Sequence, residues 1–210
     1  MKYWIKTPWL IQIVFSKIIW RFQSNKKEMY LTFDDGPSSI TQEILTVLEK
    51  ENIKATFFCT GNNVKKQPEL YDKIISAGHS VGNHSMTHLS GWKVDKKKYL
   101  FDVKKGSELI NSNLFRPPYG KINLQSIFSL KKTYEIIMWD INSGDFDRGI
   151  SSKKVINNVV ANSRNGSIVV LHDNENFKSL ILPSLLPIIK GLKEKGFSFR
   201  AIPYHPLKKI

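Results

Sequence analysis

Two adjacent carboxylates, Asp34 and Asp35, close an apolar run in the stretch MYLTFDDGPSSI. Like charges at a buried strand end are costly unless a partner uses them. Further along, GNHSMTHLS sets His84 and His88 four residues apart. On a helix that spacing puts both imidazoles on one face, in reach of a single metal ion. With a carboxylate from Asp34 or Asp35 the set becomes two His and one Asp. It suits catalytic zinc, non-haem iron or another divalent ion, and leaves positions open for water and substrate. An HxxxH pair alone is a weak signal. Here the chain has only five histidines, and three of them follow expected strands or form this pair.

Three further stretches carry chemistry. In LFRPPYG, Arg116 precedes two prolines that stiffen the backbone and a glycine, Gly120, that permits a sharp turn. Arg116 could hold a carboxylate bidentately, or be a surface arginine before a structural turn. In MWDINSGDF, Asp140 and Asp145 follow an apolar run; each could be functional or could cap the helix that SSKKVINNV begins. In IVVLHD, His172 ends an apolar run with Asp173 beside it. At the carboxyl end of a strand, such a histidine reads as an acid or base rather than a structural residue.

Seven β-type runs position these groups: 29–33, 54–59, 79–83, 114–116, 134–139, 167–172 and 197–202. Helix-period segments separate them. Ile40, Ile44, Leu45, Val47 and Leu48 form one stripe behind a candidate capping box of Ser39 and Gln42. Leu70, Ile74 and Ile75 form a second, between Pro68 and Gly78; Tyr99, Leu100, Val103 and Leu109 a third, behind a candidate N-cap at Asp95. Val155 to Val160 and Leu182 to Leu192 carry the last two. Strands alternating with helices predict an α/β fold with a mainly parallel sheet, open or closed into a barrel. Ligands bind beyond the carboxyl ends of such strands, so Asp34, Asp35, His84, Arg116, Asp140, Asp145 and His172 are expected at one mouth.

The chain has 210 residues, enough for one domain with a sizeable core. Its net charge of +14 favours anionic surroundings, such as lipid headgroups or an acidic cell-wall polymer. No nucleic-acid-binding motif accompanies the charge, and specific nucleic-acid binding is not expected. The single cysteine, Cys59, excludes an intramolecular disulfide. Residues 1–28 stand apart from the domain at 29–210. Their apolar part, WLIQIVF with KIIW, is far short of the ~20 residues a spanning helix needs. Lys2 and Lys6 could begin a signal peptide, but no small-residue cleavage site follows. A short amphipathic helix packed on the domain is favoured, with a Trp- and Lys-rich membrane-surface helix as the alternative. A cytoplasmic or envelope-peripheral location is favoured over secretion with cleavage.

Taken in order, TFDDGP, HSMTH, RPPYG, INSGDF and LHD resemble the polysaccharide deacetylases, the NodB-homology domain of carbohydrate esterase family four. The resemblance runs from Met29 to about Ile202. It implies a distorted (β/α) barrel of about seven strands and metal-dependent removal of N-acetyl, sometimes O-acetyl, groups from a sugar polymer or oligomer. It implies one divalent ion, zinc first and cobalt or another ion as alternatives, held by Asp35, His84 and His88. Asp34 would be the general base, oriented by Arg116. The backbone N–H of Tyr119 would bind the oxyanion. Asp145 would pair with His172, the general acid, and Leu171 would wall the acetyl pocket. Asn142 and Phe146 depart from the family's usual Asp and Trp; Asp140 receives no role. Two other readings remain: a carbohydrate-binding protein with negligible turnover, and a non-haem iron oxygenase. The oxygenase leaves the doubled Asp, Arg116 and His172 unexplained.

Overall fold

A computed structural model describes residues 3–207 of the chain. Lys2, invoked above for a basic leader, lies outside them. The centre is β1 (Glu28–Asp35), flanked by β2 (Thr56–Cys59) and β7 (Ile168–His172). Beyond β2 follow β3 (Ser80–Asn83), β4 (Leu114–Phe115) and β5 (Glu135–Ile136); beyond β7 lies β6 (Ile141–Asn142). A last strand, β8 (Ser198–Phe199), pairs with the start of β1. Every ladder is parallel. The sheet curls into a distorted α/β half-barrel, as the alternation of strands and helices predicts.

Alternation along β1 explains its two faces. Met29, Leu31 and Phe33 enter the large core beneath the helices, with Ile44, Leu48, Leu171, Leu185 and Ile189. Tyr30 turns inward, to a smaller core of Phe58, Leu114, Ile137, Ile168 and Ile202. Thr32 and Asp34 continue that inner row toward the mouth, and both contact Arg116.

The helices follow the apolar stripes, with differences at their ends. α2 (Thr41–Lys50) does not use the Ser39–Gln42 box. Ser38 N–H donates to Thr41 Oγ1, and Ser38 Oγ accepts from Ile40 N–H, so this turn is organised one residue earlier. α4 (Pro68–Ser76) starts at the proline and ends before Gly78, at φ 77°. α5 (Lys96–Ser107) is capped by Asp95, which accepts from Lys98 N–H at 3.0 Å, but stops before Leu109. α7 (Ser152–Asn162) is capped by Ser151 and by neither upstream aspartate. α8 (Lys178–Glu194) begins before the expected stripe and accommodates Pro183 and Pro187. Two short helices, α3 (Gly61–Lys66) and α6 (Leu124–Leu130), have too few turns to show a period in the sequence.

The barrel has a seam between β5 and β6, and residues 5–22 fill it. The β-type run 134–139 is pairable only at its start, because the chain then crosses toward the seam. Ile19 N–H donates to Ile136 O and Met138 N–H to Ile19 O. Asn142 N–H donates to Ile5 O at 2.7 Å, and Thr7 N–H to Asp140 O at 2.9 Å. Helix α1 (Trp9–Val14) lies between these contacts and buries none of its own residues. The segment therefore attaches through its flanks.

This crossing corrects the expectation for Asp140. It precedes β6, so it sits at the amino ends of the strands, opposite the mouth. It is fully buried, and Arg164 grips it with Nε at 2.9 Å and Nη2 at 2.6 Å. Ser167 Oγ (2.6 Å) and Gln12 Nε2 (3.1 Å) complete its shell. Against burial, which raises it, these donors hold Asp140 below the usual carboxylate range. Asp140→Ala is expected to cost about 1–3 kcal/mol, because Arg164 keeps partial access to water. The melting temperature should fall by roughly 2–10 °C while turnover per folded molecule stays unchanged; thermal denaturation alongside a specific-activity assay checks both.

Candidate active site

Asp34 and Asp35 end β1, and the chain sends them to different partners. Asp34 is buried; its Oδ1 accepts from Arg116 Nη1 at 2.7 Å. Arg116 follows β4 and is itself fully buried. Its Nη1 also donates to Thr32 Oγ1 (2.6 Å), its Nε to Ile137 O (3.2 Å) and its Nη2 to Met138 O (2.9 Å). The guanidinium stacks 4.1 Å above the Phe58 ring. A surface arginine is excluded.

Asp35 takes φ 78°, which turns its side chain away from Asp34. Its Oδ1 lies 3.1 Å from His88 Nε2 and 3.7 Å from His84 Nε2; Asn174 Nδ2 donates to Oδ2 at 2.9 Å. One ligand atom from each of Asp35, His84 and His88 falls within 4.8 Å of the others. His84 Nδ1 lies 2.7 Å from Arg116 O. A carbonyl can only accept, so Nδ1 carries the proton and Nε2 presents its lone pair to the cluster. Burial pushes His84 down to about 4, which keeps the imidazole neutral at pH 7. Burial raises Asp35, but the His88 hydrogen bond and the charge on His172 outweigh it and leave Asp35 well below the usual range. A neutral imidazole with a free Nε2 and an ionised carboxylate are the forms that bind a divalent ion, so the donor set fits one.

The histidine pair is not helical. Residues 84–88 form a loop in which Ser85 (φ 64°) and His88 (φ 60°) are left-handed. The loop is held from below. Asn83 Oδ1 accepts from Ser85 N–H, Ser85 Oγ from His88 N–H, and Asp102 Oδ1 from Thr87 Oγ1 at 2.8 Å. A Cβ on Gly106 would lie 2.6 Å from Asn83 Oδ1, so only glycine lets α5 approach this closely. Asn83, Asp102 and Gly106 are the supports that the sequence reading missed. They lie in a strand and a helix with no local signal of the contact.

Across the mouth, His172 Nδ1 meets Asp145 Oδ1 at 2.7 Å, and His172 N–H donates to Asp145 Oδ2 at 2.7 Å. Asp145 is fully buried and also accepts from Ser143 Oγ. Burial alone would lower His172, but the Asp145 charge and hydrogen bond prevail and push it up to about 9. Phe146 packs edge-on to His172 at 5.5 Å and Phe177 does so at 5.6 Å. Tyr119, at φ 60° and largely exposed, sets its ring 4.5 Å from His88. Asp173 faces away from the mouth. It accepts from Ser38 Oγ (2.6 Å) and Thr41 Oγ1 (2.5 Å), and burial raises it to about 6.

Leu171 is a correction. It is the register partner of Phe33 and is fully buried in the helix-side core, not on the mouth. Strand alternation puts Val170 on the inner face with His172, beside Thr32 and Asp34. Counting by two from His172 finds it.

The match to known proteins decides the family. Residues 22–134 match the polysaccharide deacetylase family model. The chain belongs to the polysaccharide deacetylase family. A Bacillus cereus peptidoglycan-N-acetylglucosamine deacetylase is 35% identical over 188 residues, covering 85% of this chain and 68% of that protein. The crystal structure of the Bc1960 peptidoglycan N-acetylglucosamine deacetylase superposes with a TM-score of 0.86 at 32% identity, covering 94% and 95% of the two chains. A family-four pseudoenzyme from Bacillus anthracis, BA3943, superposes at 0.77 with 26% identity, covering 88% of this chain and 66% of that one. In this family member both carboxylates, both loop histidines and the His172–Asp145 pair stand together at the carboxyl ends of β1, β3 and β7 and on the loop after β6.

The His172–Asp145 pair can be tested on its own. Asp145→Asn removes the larger part of what opposes burial and leaves only the charges of Asp35 and Asp34, so His172 should titrate well below its value near 9. Imidazole NMR titration of both proteins reads the shift directly; an unmoved His172 would contradict the assigned cause.

Proposed function

We propose that this deacetylase is metal-dependent and removes the acetyl group from N-acetylglucosamine units of an acetylated cell-wall-type polymer or its oligomers. The observation that carries the reading is the division of labour at the end of β1. Asp35 belongs to the His84–His88 cluster, while Asp34 belongs to Arg116.

Asp35, His84 and His88 would hold the ion. When bound, a divalent ion polarises the acetyl carbonyl and acidifies water. Arg116 fixes Asp34 with one oxygen occupied and leaves the other to accept the proton of the attacking water. A C–O bond forms at the carbonyl carbon, and the Tyr119 N–H is assigned to the oxygen that gains charge. His172, protonated because Asp145 holds its Nδ1, delivers the Nε2 proton to the amide nitrogen as the C–N bond breaks. Acetate and a free amine leave. The rings of Tyr119, Phe146 and Phe177 border this centre and offer apolar faces to a sugar.

The likeness to a pseudoenzyme supplies the competing reading, a groove that binds sugar without turnover. Against it, binding alone requires no proton donor, and this chain retains acid, base and ligand set together.

Acetate release from peptidoglycan, chitin oligomers and poly-N-acetylglucosamine, with oxygen uptake followed in parallel, is the test. A chelator should abolish release, and zinc or cobalt should restore it; undiminished release from metal-free protein sinks the mechanism. Asp34→Asn should keep near-stoichiometric metal and lose on the order of 10²–10⁴ in rate. Asp35→Asn should bind metal far more weakly and recover partly at high metal concentration. Elemental analysis beside turnover separates the two.

The pH profile follows from His172. Its folded value, about 9, lies above the ordinary one, so the proton it must donate is present below pH 9 and is lost above it. Activity should fall on an alkaline limb near pH 9. In Asp145→Asn that limb should move to lower pH, and an unmoved limb would remove His172 from the acid role.

A further inference from the structure

The helix α1 is apolar on the wrong side. At 3.6 residues per turn, Trp9, Leu10, Ile13 and Val14 lie within about 140° of one another. All four face solvent, at 64%, 58%, 60% and 72% exposure. The opposite side meets the protein: Gln12 reaches Asp140 and Thr7 O, and Phe15 packs on the core of Tyr99, Phe115 and Leu130. Trp4, before the helix, is 62% exposed. The patch extends to α6, where Leu124 and Phe128, one turn apart, are both exposed. Lys17 joins the two helices: its Nζ sits 5.3 Å from the Phe128 ring, and its carbonyl accepts from Lys131 Nζ. An exposed stripe of this kind marks an interaction surface.

Its charge identifies the partner. Residues 1–27 contain Lys2, Lys6, Lys17, Arg21, Lys26 and Lys27 and no acid; residues 109–134, which include α6, contain no acid either. We propose that the outer face of α1, flanked by α6, docks on an anionic lipid bilayer. The apolar side chains enter the headgroup boundary while the lysines meet lipid phosphates. No described helix is long and apolar enough to cross a membrane, so the contact is peripheral. A second copy of the chain fits poorly, because two such faces would bring lysine against lysine with no carboxylate between them. Gln12 seats α1 near Asp140, at the amino ends of the strands, so lipid contact leaves the mouth uncovered.

The test is co-sedimentation of the full chain with phosphatidylglycerol/phosphatidylcholine vesicles and with pure phosphatidylcholine vesicles. Wild type should pellet with the anionic vesicles about tenfold more strongly than with the neutral ones. Combined Trp9→Ser, Leu10→Ser, Ile13→Ser and Val14→Ser should weaken anionic binding by about tenfold or more, with melting temperature and acetate release from soluble oligomers unchanged. Lys6→Gln with Lys17→Gln, which keeps the apolar face, should weaken anionic binding and leave neutral binding as it was. The proposal is overturned if wild type stays in the supernatant, or if the four-serine variant binds as wild type does. Light scattering that shows a dimer lost in the four-serine variant, without vesicle binding, also overturns it in favour of a second copy.

Discussion

A fully buried guanidinium organises this site. Removing a charge from water is costly, and Arg116 is tolerated inside the barrel because its donors meet a carboxylate, a hydroxyl and two carbonyls while its face lies on Phe58. Those partners belong to β1 and to the chain that leaves β5, so one side chain fixes their spacing across the barrel interior. The same residue's carbonyl accepts from His84 and so sets the tautomer that the ligand cluster needs. Asp34, the proposed base, and His84, a proposed ligand, thus share one anchor, and a shift of Arg116 would disturb both.

The open seam of the barrel makes a second demand. A half-barrel leaves strand edges on β5 and β6, and an uncovered edge invites pairing with other chains. Residues 5–22 cover both edges with backbone hydrogen bonds, and Asp140 ties this cover to Arg164 and Ser167. The loop that carries Asp145 leaves β6 directly beneath this cover. Tyr3 continues it upward: its hydroxyl donates to Asp147 at 3.0 Å, and its ring packs 4.9 Å from Phe146, which packs on His172. The segment before the first long strand therefore packs, through Tyr3, against the loop that carries Asp145.

Much of this was legible in the sequence because strands and their ends are written locally. Asp34, Asp35, Arg116, Asp145 and His172 all follow apolar runs, and parallel topology alone carries them to one face. What was not legible depends on contacts far apart in the chain. His84 and His88 looked helical because only the spacing was visible, while the loop is shaped by Asn83, Asp102 and Gly106. Asp140 looked like a mouth residue because MWD reads as one strand, whereas the ladder stops at Ile136 and resumes at Ile141. Leu171 failed for a simpler reason: strand parity contains the answer, and a residue next to His172 must face the other way.

The conformation of the mouth shows why two neighbouring carboxylates can do different work. Asp35, Ser85, His88 and Tyr119 are four of the five non-glycine residues with positive φ among the described residues. Each such conformation costs of order 1 kcal/mol or more and persists only where the surroundings fix it. At Asp35 the fixing is visible. Asn63 Nδ2 donates to its carbonyl at 2.7 Å, and Asn174 holds its carboxylate. Just beyond, a Cβ on Gly36 would stand 2.2 Å from Asp173 Oδ2, so the buried Asp173 packs directly against the turn and ties it to Ser38 and Thr41. An extended continuation of β1 would point Asp35 toward the helix-side core, where an ionised carboxylate has no partner. The turn instead rotates it onto the histidines while Asp34 stays on Arg116. Separate hydrogen-bond environments, imposed by one left-handed residue, are what let a repelling pair take the two different roles proposed for it, ligand and base.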